Sequence, residues 1–315
     1  MFDIIGRRNL YFLFSGILIV LGVAALAIWG LRLGVDFTGG SLVEVRLANA
    51  PEPDAVRDAL VAAGYPEAAV VTSTDASGRV SYIIRTRELQ TPEKNALLAK
   101  LGEPFGQVTE DRFETVGPAV SAETAQRAFL AVGAASLAIL AYLSFAFRQV
   151  PKPWRYGTCA VAALLHDALV VLGLWAILGH FFGLEVDALF VTGILTVIGF
   201  SVHDTIVVFD RIRENVRRFP GESFERIANF SVNQTLDRSI NTGLCTIFTL
   251  TSLLLLGGAT IRNFVLVLLI GIISGTYSSI FNATCLLVVW ENGDLGNTWR
   301  RLTGRGRPAP AAAAA

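Results

Sequence analysis

Six long apolar stretches dominate the 315-residue sequence, and they limit the folds that it can adopt more than any other feature. A helix that crosses the hydrocarbon core of a bilayer needs about 20 predominantly apolar residues. Charged residues make up only 17% of the chain, against about 25% in soluble domains. The sequence therefore predicts an α-helical polytopic membrane protein. Its six transmembrane helices are expected at approximately Tyr11–Leu31, Arg127–Phe147, Tyr156–Phe181, Val186–Phe209, Ser239–Leu256 and Phe264–Trp290.

The first apolar stretch has two interpretations. Ala25-Leu26-Ala27 resembles the small-residue site at which a signal peptide is cleaved. However, the apolar run is longer than the 7–15 residues that are typical of a signal peptide's central region. The length favours an uncleaved first transmembrane helix.

Basic residues predict the orientation of these helices, because loops rich in Lys and Arg stay in the cytoplasm. Fifteen basic residues lie at the two termini and in one set of short loops, whereas the opposite short loops carry only Arg262. Both termini are therefore expected in the cytoplasm. The expected organisation is a cytoplasmic N-terminus (1–10), a first helix (11–31), an extracytoplasmic domain (32–126), a five-helix membrane region (127–290) and a disordered cytoplasmic tail (291–315).

The segment between the first two helices has the pattern of a small α+β domain. Strands are predicted at Ser41–Leu47, Ala68–Thr74, Arg79–Thr86 and Gln107–Val116, with helices at Pro53–Ala63 and from Thr91 to Leu101. Thr91 is expected to cap the second of these helices, with Pro92 in its first position. The order βαββαβ is that of a ferredoxin-like fold. That fold has many functions and identifies none of them.

Asp204 lies in the fourth apolar stretch, two turns before its end. Ionisable groups within a span are costly and often mark ion pathways. A carboxyl group in apolar surroundings can exchange protons near neutral pH, because burial raises its pKa. A hydrogen-bonded Asp that only holds helices together is an equally good interpretation. Ser201 is expected on the same helix face as Asp204, and His203 on a neighbouring one.

A polar stripe marks the fifth stretch, where Gln234, Arg238, Asn241, Thr242, Cys245, Thr249 and Ser252 recur at steps of three and four. Arg238 is at the head of this stripe. Although such an arginine commonly extends only to the membrane surface, the stripe and the preceding Asp204 favour an Asp204–Arg238 pairing.

Two further polar groups are interpreted mainly as helix contacts. His166-Asp167 in the third stretch is expected to join helices, with a part in proton transfer as the alternative. Ser274, Ser278, Asn282 and Cys285 in the sixth stretch have the spacing of an ordinary packing surface. The remaining cysteines, Cys159 and Cys245, also fall in apolar runs and are expected to be free packing residues.

The sequence contains no nucleotide-binding loop, no metal-spaced His/Cys cluster and no nucleophile with a neighbouring base, so no enzyme and no cofactor are predicted. The net charge of zero offers no basic surface for nucleic acid. Buried carboxylates without nucleotide chemistry favour an ion gradient as the energy source.

Four motifs resemble the SecD/SecF family of protein-export membrane proteins, in the resistance–nodulation–division (RND) superfamily, and the third is typical of its SecF branch. They are Val35-Asp36-Phe37-Thr38-Gly39-Gly40-Ser41, Val116-Gly117-Pro118-Ala119-Val120-Ser121, the stretch from Ser201 to Asn215, and the stretch from Asn233 to Thr242.

This resemblance implies a bacterial inner-membrane subunit that works with SecD, the SecYEG channel and YajC, and uses the proton gradient to help complete preprotein export. It implies that Asp204 and Arg238 form the proton relay, to which His203, His166 and Asp167 are possible additions. Gly39 and Gly40 are expected either to act as a hinge below the outer domain or to form a simple tight turn. A structural scaffold of the translocon and a half-sized RND-type exporter of small molecules are the alternatives.

Overall fold

The computed structural model describes residues 2–74, 78–148, 150 and 152–293. The predicted disordered tail lies mostly outside the described residues. In chain order the elements are α1 (Arg8–Trp29), α2 (Val35–Thr38), β1 (Gly40–Leu47), α3 (Pro53–Ala62), β2 (Ala69–Thr74), β3 (Val80–Thr86), α4 (Thr91–Phe105), β4 (Val108–Val116), α5 (Pro118–Ala146), α6 (Trp154–Phe182), α7 (Ala188–Arg218), α8 (Phe224–Leu256), α9 (Ala259–Tyr277) and α10 (Thr284–Glu291).

The described residues contain six helices that are long and apolar enough to cross a membrane, as predicted. The sixth consists of α9 and α10, which are joined without a break by a π-helical turn, Ser278–Ala283. Three helices extend well beyond the apolar stretches that predicted them: α5 begins at Pro118, α7 continues to Arg218 and α8 begins at Phe224. Hydropathy marks only the lipid-facing part of a helix, whereas the backbone hydrogen bonds continue into its polar ends.

The four strands form one antiparallel sheet in the order β2-β3-β1-β4. With α3 and α4 between the strands in the chain, this is the predicted ferredoxin-like arrangement. The segment Gly40–Val116 is called the sheet domain below. Gly40, at the start of the central strand β1, pairs with Val116, at the end of the edge strand β4. Both connections to the membrane helices therefore leave the sheet domain side by side.

One face of the sheet carries the core of the sheet domain. Val43 and Ile84 are opposite each other on β1 and β3, and both are fully buried. Val56 and Leu60 of α3 and Leu97 and Leu101 of α4 cover them. Successive turns of α3 and α4 thus cover the strand residues that face the core, which are every second residue along each strand.

The prediction that Thr91 caps α4 is wrong by one residue. Gln90 is the cap, and its backbone N–H donates to Glu93 Oε2 over 3.0 Å. Thr91 is already the first helical residue, followed by Pro92. Glu93, three residues after the cap, bonds with Gln90 in a capping box. The position of the cap therefore follows from Glu93 and not from the threonine.

Within the membrane region, α6, α7 and the sixth helix form the interior, whereas α1, α5 and α8 expose most of their surface. α7 and α9 run parallel and approach each other closely at glycines. A Cβ atom on Gly271 would lie 2.2 Å from Val197 Cγ2, and one on Gly275 would lie 3.0 Å from Ser201 Cβ. In lipid, the hydrophobic effect does not drive helices together, so close packing at small residues is needed for their association.

Candidate functional site

Asp204 is a buried carboxylate of the membrane region with an oxygen that has no partner among the described residues. Its side chain lies in the middle of α7 and is only 3% exposed. Oδ2 is buried and has no hydrogen-bond partner among the described residues. Oδ1 lies 3.8 Å from Nδ1 of the adjacent His203, which is too long for a hydrogen bond. A carboxyl group that is buried with unused bonding capacity is suited to bind a proton.

Ser239 Oγ on α8 and Thr276 Oγ1 on α9 are also buried without a partner among the described residues, and both helices pack against α7. Ser239 is one turn from Gly243, where an added Cβ would lie 2.9 Å from Thr276 Oγ1. The described parts of α7, α8 and α9 thus each carry a buried oxygen without a partner.

Arg238 is near this region but does not bond to Asp204 directly. The Arg238 side chain is exposed on α8. No ion pair between the two is present in the described part of the chain. The structure therefore does not show the direct pairing that the sequence favoured.

Asp167 on α6 is the best satisfied carboxylate of the membrane region. It is 1% exposed, and three serine hydroxyl groups and the His166 ring converge on it. Oδ1 accepts from Ser274 Oγ (2.8 Å) and is 3.1 Å from His166 Nδ1, and Oδ2 accepts from Ser201 Oγ (2.7 Å) and Ser278 Oγ (2.6 Å). These five residues are called the Asp167 cluster. The three serine hydrogen bonds join α6, α7 and the sixth helix.

The π-helical turn begins at Ser278, within the Asp167 cluster. Its second residue, Ser279, donates to the Ser201 carbonyl over 2.8 Å and accepts from Thr205 Oγ1 over 2.9 Å. Thr205 is the neighbour of Asp204. The widened turn therefore fixes the two sides of the α7 segment that carries Asp204. Single π-helical turns of this kind are frequent at functional sites.

The histidines differ in their surroundings. His166 is buried, and its Nε2 has no partner in the part of the chain that the structure describes. The His203 side chain is 64% exposed and lies on the outer face of α7 with Gly199 and Asp210. Asp210 forms an ion pair with Arg213, as expected for a residue at the end of the span.

Gly39 and Gly40 lie at the junction of α2 and β1 with positive φ angles of 73° and 110°. A Cβ atom on Gly40 would lie 2.5 Å from the Thr86 carbonyl oxygen. The glycine is thus required by its backbone conformation and by close packing. Their role as a hinge remains a prediction.

Sequence reasoning missed the convergence of Ser201, Ser274 and Ser278 on Asp167. Serines at steps of three and four are common in membrane helices, so their spacing predicted only a packing surface. The usable signal was the excess of hydroxyl groups on two helices together with a buried acid on a third.

Comparison with known proteins defines the class to which this fold and site belong. The family model "Protein export membrane protein SecD/SecF, C-terminal" matches residues 97–293, and "SecD/SecF GG Motif" matches residues 24–50. The chain therefore belongs to the SecD/SecF family of protein-export membrane proteins. It is a multi-pass membrane protein.

Two relatives are named protein translocase subunit SecF. The one from Thermobaculum terrenum is 52% identical over 309 residues, covering 96% of this chain and 98% of the relative. The one from Anaerolinea thermophila is 44% identical, with the same coverage of each chain. A third, protein translocase subunit SecDF of Bacillus subtilis, is 34% identical over 93% of this chain and 38% of its own length.

The crystal structure of SecDF from Thermus thermophilus, described as a translocon-associated membrane protein, superposes with a TM-score of 0.82 at 32% identity. The match covers 92% of this chain and 39% of SecDF. A SecDF structure in a super-membrane-facing form gives a TM-score of 0.66 at 30% identity, over 95% of this chain and 40% of the other. The chain thus spans about two fifths of these longer proteins.

Proposed function

We propose that this chain is an accessory subunit of the Sec protein-export machinery, which works with SecD and uses the proton gradient to promote completion of preprotein translocation. The names of the relatives support the export role. The observation that carries the proton role is Asp204, a buried carboxylate with an unpaired oxygen in an apolar span.

In the proposed mechanism, Asp204 binds a proton from one side of the membrane and releases it to the other. Arg238 tunes this exchange through its charge, because a nearby cation favours the ionised carboxylate. His203 is available as an exposed proton carrier beside Asp204, and the Asp167 cluster holds the α7 segment in place. No cofactor and no chemical transformation are part of this mechanism, since moving one charge through 100 mV provides about 2.3 kcal/mol.

The exposed polar surface of α7 and α8 supports a partner within the membrane. Polar residues that face lipid are unfavourable, yet both helices expose polar or small residues along their lengths. These are Thr192, Thr196, Gly199 and His203 on α7, and Arg238, Asn241, Thr242, Cys245, Thr249 and Ser252 on α8. A second six-helix bundle, such as SecD would provide, covers this surface in the proposal. The fusion of both parts in Bacillus subtilis SecDF agrees with this.

The remaining parts of the proposal follow from the family and from the distribution of charge. The chain lies in the bacterial cytoplasmic membrane, with both termini in the cytoplasm and the sheet domain outside. Its assembly includes the SecYEG channel, YajC and the translocating preprotein, surrounded by membrane lipid.

The test replaces Asp204 in cells whose only copy of this subunit is the variant. Asp204→Asn is expected to preserve assembly with SecD and to abolish the stimulation of export by the proton gradient. Asp210→Asn, on the same helix but exposed, is the matched control and should export normally. Normal export by Asp204→Asn would falsify the proton role.

Two alternatives give different results. A structural scaffold should tolerate Asp204→Asn combined with Arg238→Met, provided that the complex assembles. A small-molecule exporter should change the resistance of cells to drugs without changing preprotein export. If a sodium gradient rather than a proton gradient sustains export in vesicles, the coupling ion in the proposal is wrong.

A further inference from the structure

The segment Arg32–Asp36, which follows α1, is bonded directly to the start of α7. The Gly34 N–H donates to the Val186 carbonyl and the Val186 N–H donates to the Arg32 carbonyl, both over 2.8 Å, so that Leu33 and Val186 form a parallel bridge. Asp36 Oδ2 accepts from the N–H of Ala188, the first residue of α7, over 2.8 Å. A carboxylate at this position also interacts favourably with the helix dipole.

The sheet domain also contacts the loop that precedes α7, at the residue before Val186. Arg85 on β3 forms an ion pair with Glu185, which is 9% exposed. Burial, and then the charge of Arg32, lower the pKa of Arg85 to about 10, so that it stays charged at neutral pH. The Glu185 carbonyl accepts from Trp175 Nε1 over 3.0 Å, which fixes the loop against α6. The Leu33–Val186 bridge, the Asp36–Ala188 hydrogen bond and the Arg85–Glu185 ion pair are together called the joint.

α7 continues from the joint to Asp204 without a proline, which is the commonest cause of a kink. Asp204 is the seventeenth residue of α7, so at 1.5 Å per residue it lies about 24 Å along the axis from Ala188. One continuous helix therefore connects the joint to the segment that carries Asp204.

We propose that the joint remains closed during transport and couples the position of the sheet domain to α7, with Asp36 as the positioning residue. Asp36 belongs to the Val35–Ser41 motif, and this assigns the carboxylate of that motif a mechanical role. The glycines of the motif permit the close junction with β1, whereas Asp36 fixes the same segment to the helix that carries Asp204.

The first test measures opening of the joint and does not depend on the proposed function. Cys159, Cys245 and Cys285 are replaced by Ala, and Val186→Cys is labelled with a membrane-impermeant maleimide in the assembled complex. Val186 is 6% exposed, so labelling reports opening. Asp36→Ala is expected to accelerate labelling roughly tenfold, the factor that corresponds to about 1.4 kcal/mol.

Two variants complete this test. Asp36→Asn keeps an oxygen that accepts from Ala188 and should label almost as slowly as the parent. Asp58→Ala removes an exposed acid of α3 and is the matched control, with no expected change. The proposal is overturned if Asp36→Ala is labelled at the parent rate. It is also overturned if Asp58→Ala is labelled as fast as Asp36→Ala.

The second test rests on the proposed export function and uses a reversible lock. Leu33 and Val186 are bridge partners, and a disulfide between Leu33→Cys and Val186→Cys keeps the joint closed. Oxidation should leave gradient-stimulated export unchanged in the presence of Asp36. In the Asp36→Ala background, oxidation should restore the stimulation that this variant loses, and reduction should abolish it again.

The outcomes separate the two proposals. Loss of export on oxidation with Asp36 present means that the joint must open, and this overturns the inference while leaving the proton role intact. Normal export by Asp204→Asn, together with fast labelling of Asp36→Ala, overturns the proton role and supports the joint.

Discussion

Ser201 donates a hydrogen bond of 2.7 Å to Asp167 and lies one helical turn before Asp204 on α7. One buried carboxylate thus positions the helix that carries the other. Asp167 accepts hydrogen bonds from three serine hydroxyl groups and lies beside His166, whereas Asp204 Oδ2 has no partner among the described residues. The two acids are therefore suited to different tasks, because the bonds of Asp167 join helices and Asp204 keeps an unused oxygen.

Removing the Asp167 carboxylate should destabilise the membrane region strongly. Asp167→Ala removes the acceptor that three buried or part-buried serine hydroxyl groups share, so a loss of about 2–4 kcal/mol in unfolding free energy is expected. The measurement is detergent-induced unfolding of the purified complex. Asp210→Ala is the control, because it breaks an exposed ion pair worth about 0–1 kcal/mol. Equal losses in the two variants would contradict the role of the Asp167 cluster.

Gly271 should be essential for the contact between α7 and α9. Gly271→Ala places a methyl group against Val197 and should cost about 1–3 kcal/mol through overpacking. Adding Val197→Ala removes the two closest contacts, those with Cγ2 and Cγ1, so the double variant should lose less than the sum of the single variants in the same unfolding measurement. Gly199→Ala is the matched control, since nothing lies within 4 Å of an added Cβ there. If the losses of unfolding free energy in the two single variants add up to that of the double variant, the two helices do not constrain each other at this point.

Gly40→Ala should disrupt the junction between the membrane helices and the sheet domain. The positive φ of 110° and the nearby Thr86 carbonyl both oppose a side chain, at an expected cost of about 1–3 kcal/mol. Faster hydrogen exchange in β1 and β3 is the expected observation. Gly133→Ala on α5 has open space for its methyl group and should leave exchange in the sheet domain unchanged. A protected β1 in Gly40→Ala would show that the junction can relax.

The Asp187 carboxylate should make the start of α7 sensitive to pH. Burial raises its pKa, and the negative charge of Asp36 raises it further, although the Phe190 N–H and Arg112 oppose this. An acid with a raised pKa in the folded state stabilises the fold below its ordinary pKa of about 3.9, and this contribution is lost as pH rises through the raised value. The difference in unfolding free energy between the parent and Asp187→Asn should therefore decline as pH rises from about 4.

Asp187→Asn keeps an acceptor for the Phe190 N–H, so the cap itself is retained. The measurement is thermal unfolding of both proteins over the same pH series. A difference between them that does not vary with pH would refute the assignment to Asp187.

Hydropathy and charge alone determined the six helices and the multi-pass class, because lipid allows few alternatives to a continuous apolar helix. Strand and helix patterns likewise determined the order βαββαβ, and turn chemistry placed α4 to within one residue of its cap. A polar residue in an apolar span also identified Asp204 as exceptional. These features depend on neighbours in the sequence, which a reader of the sequence can see.

Only the tertiary structure decided how the polar residues of different helices combine. Asp167 and Ser278 are 111 positions apart, and Asp36 and Ala188 are 152 apart. Such bonds depend on which helix faces pack together and at what depth, and side-chain periodicity within one helix specifies neither. The structure also shows no direct ion pair between Asp204 and Arg238 among the described residues, and a stripe on one helix cannot predict such a contact with another. Packing between helices therefore determined which acid is fully bonded and which keeps an unpartnered oxygen among the described residues.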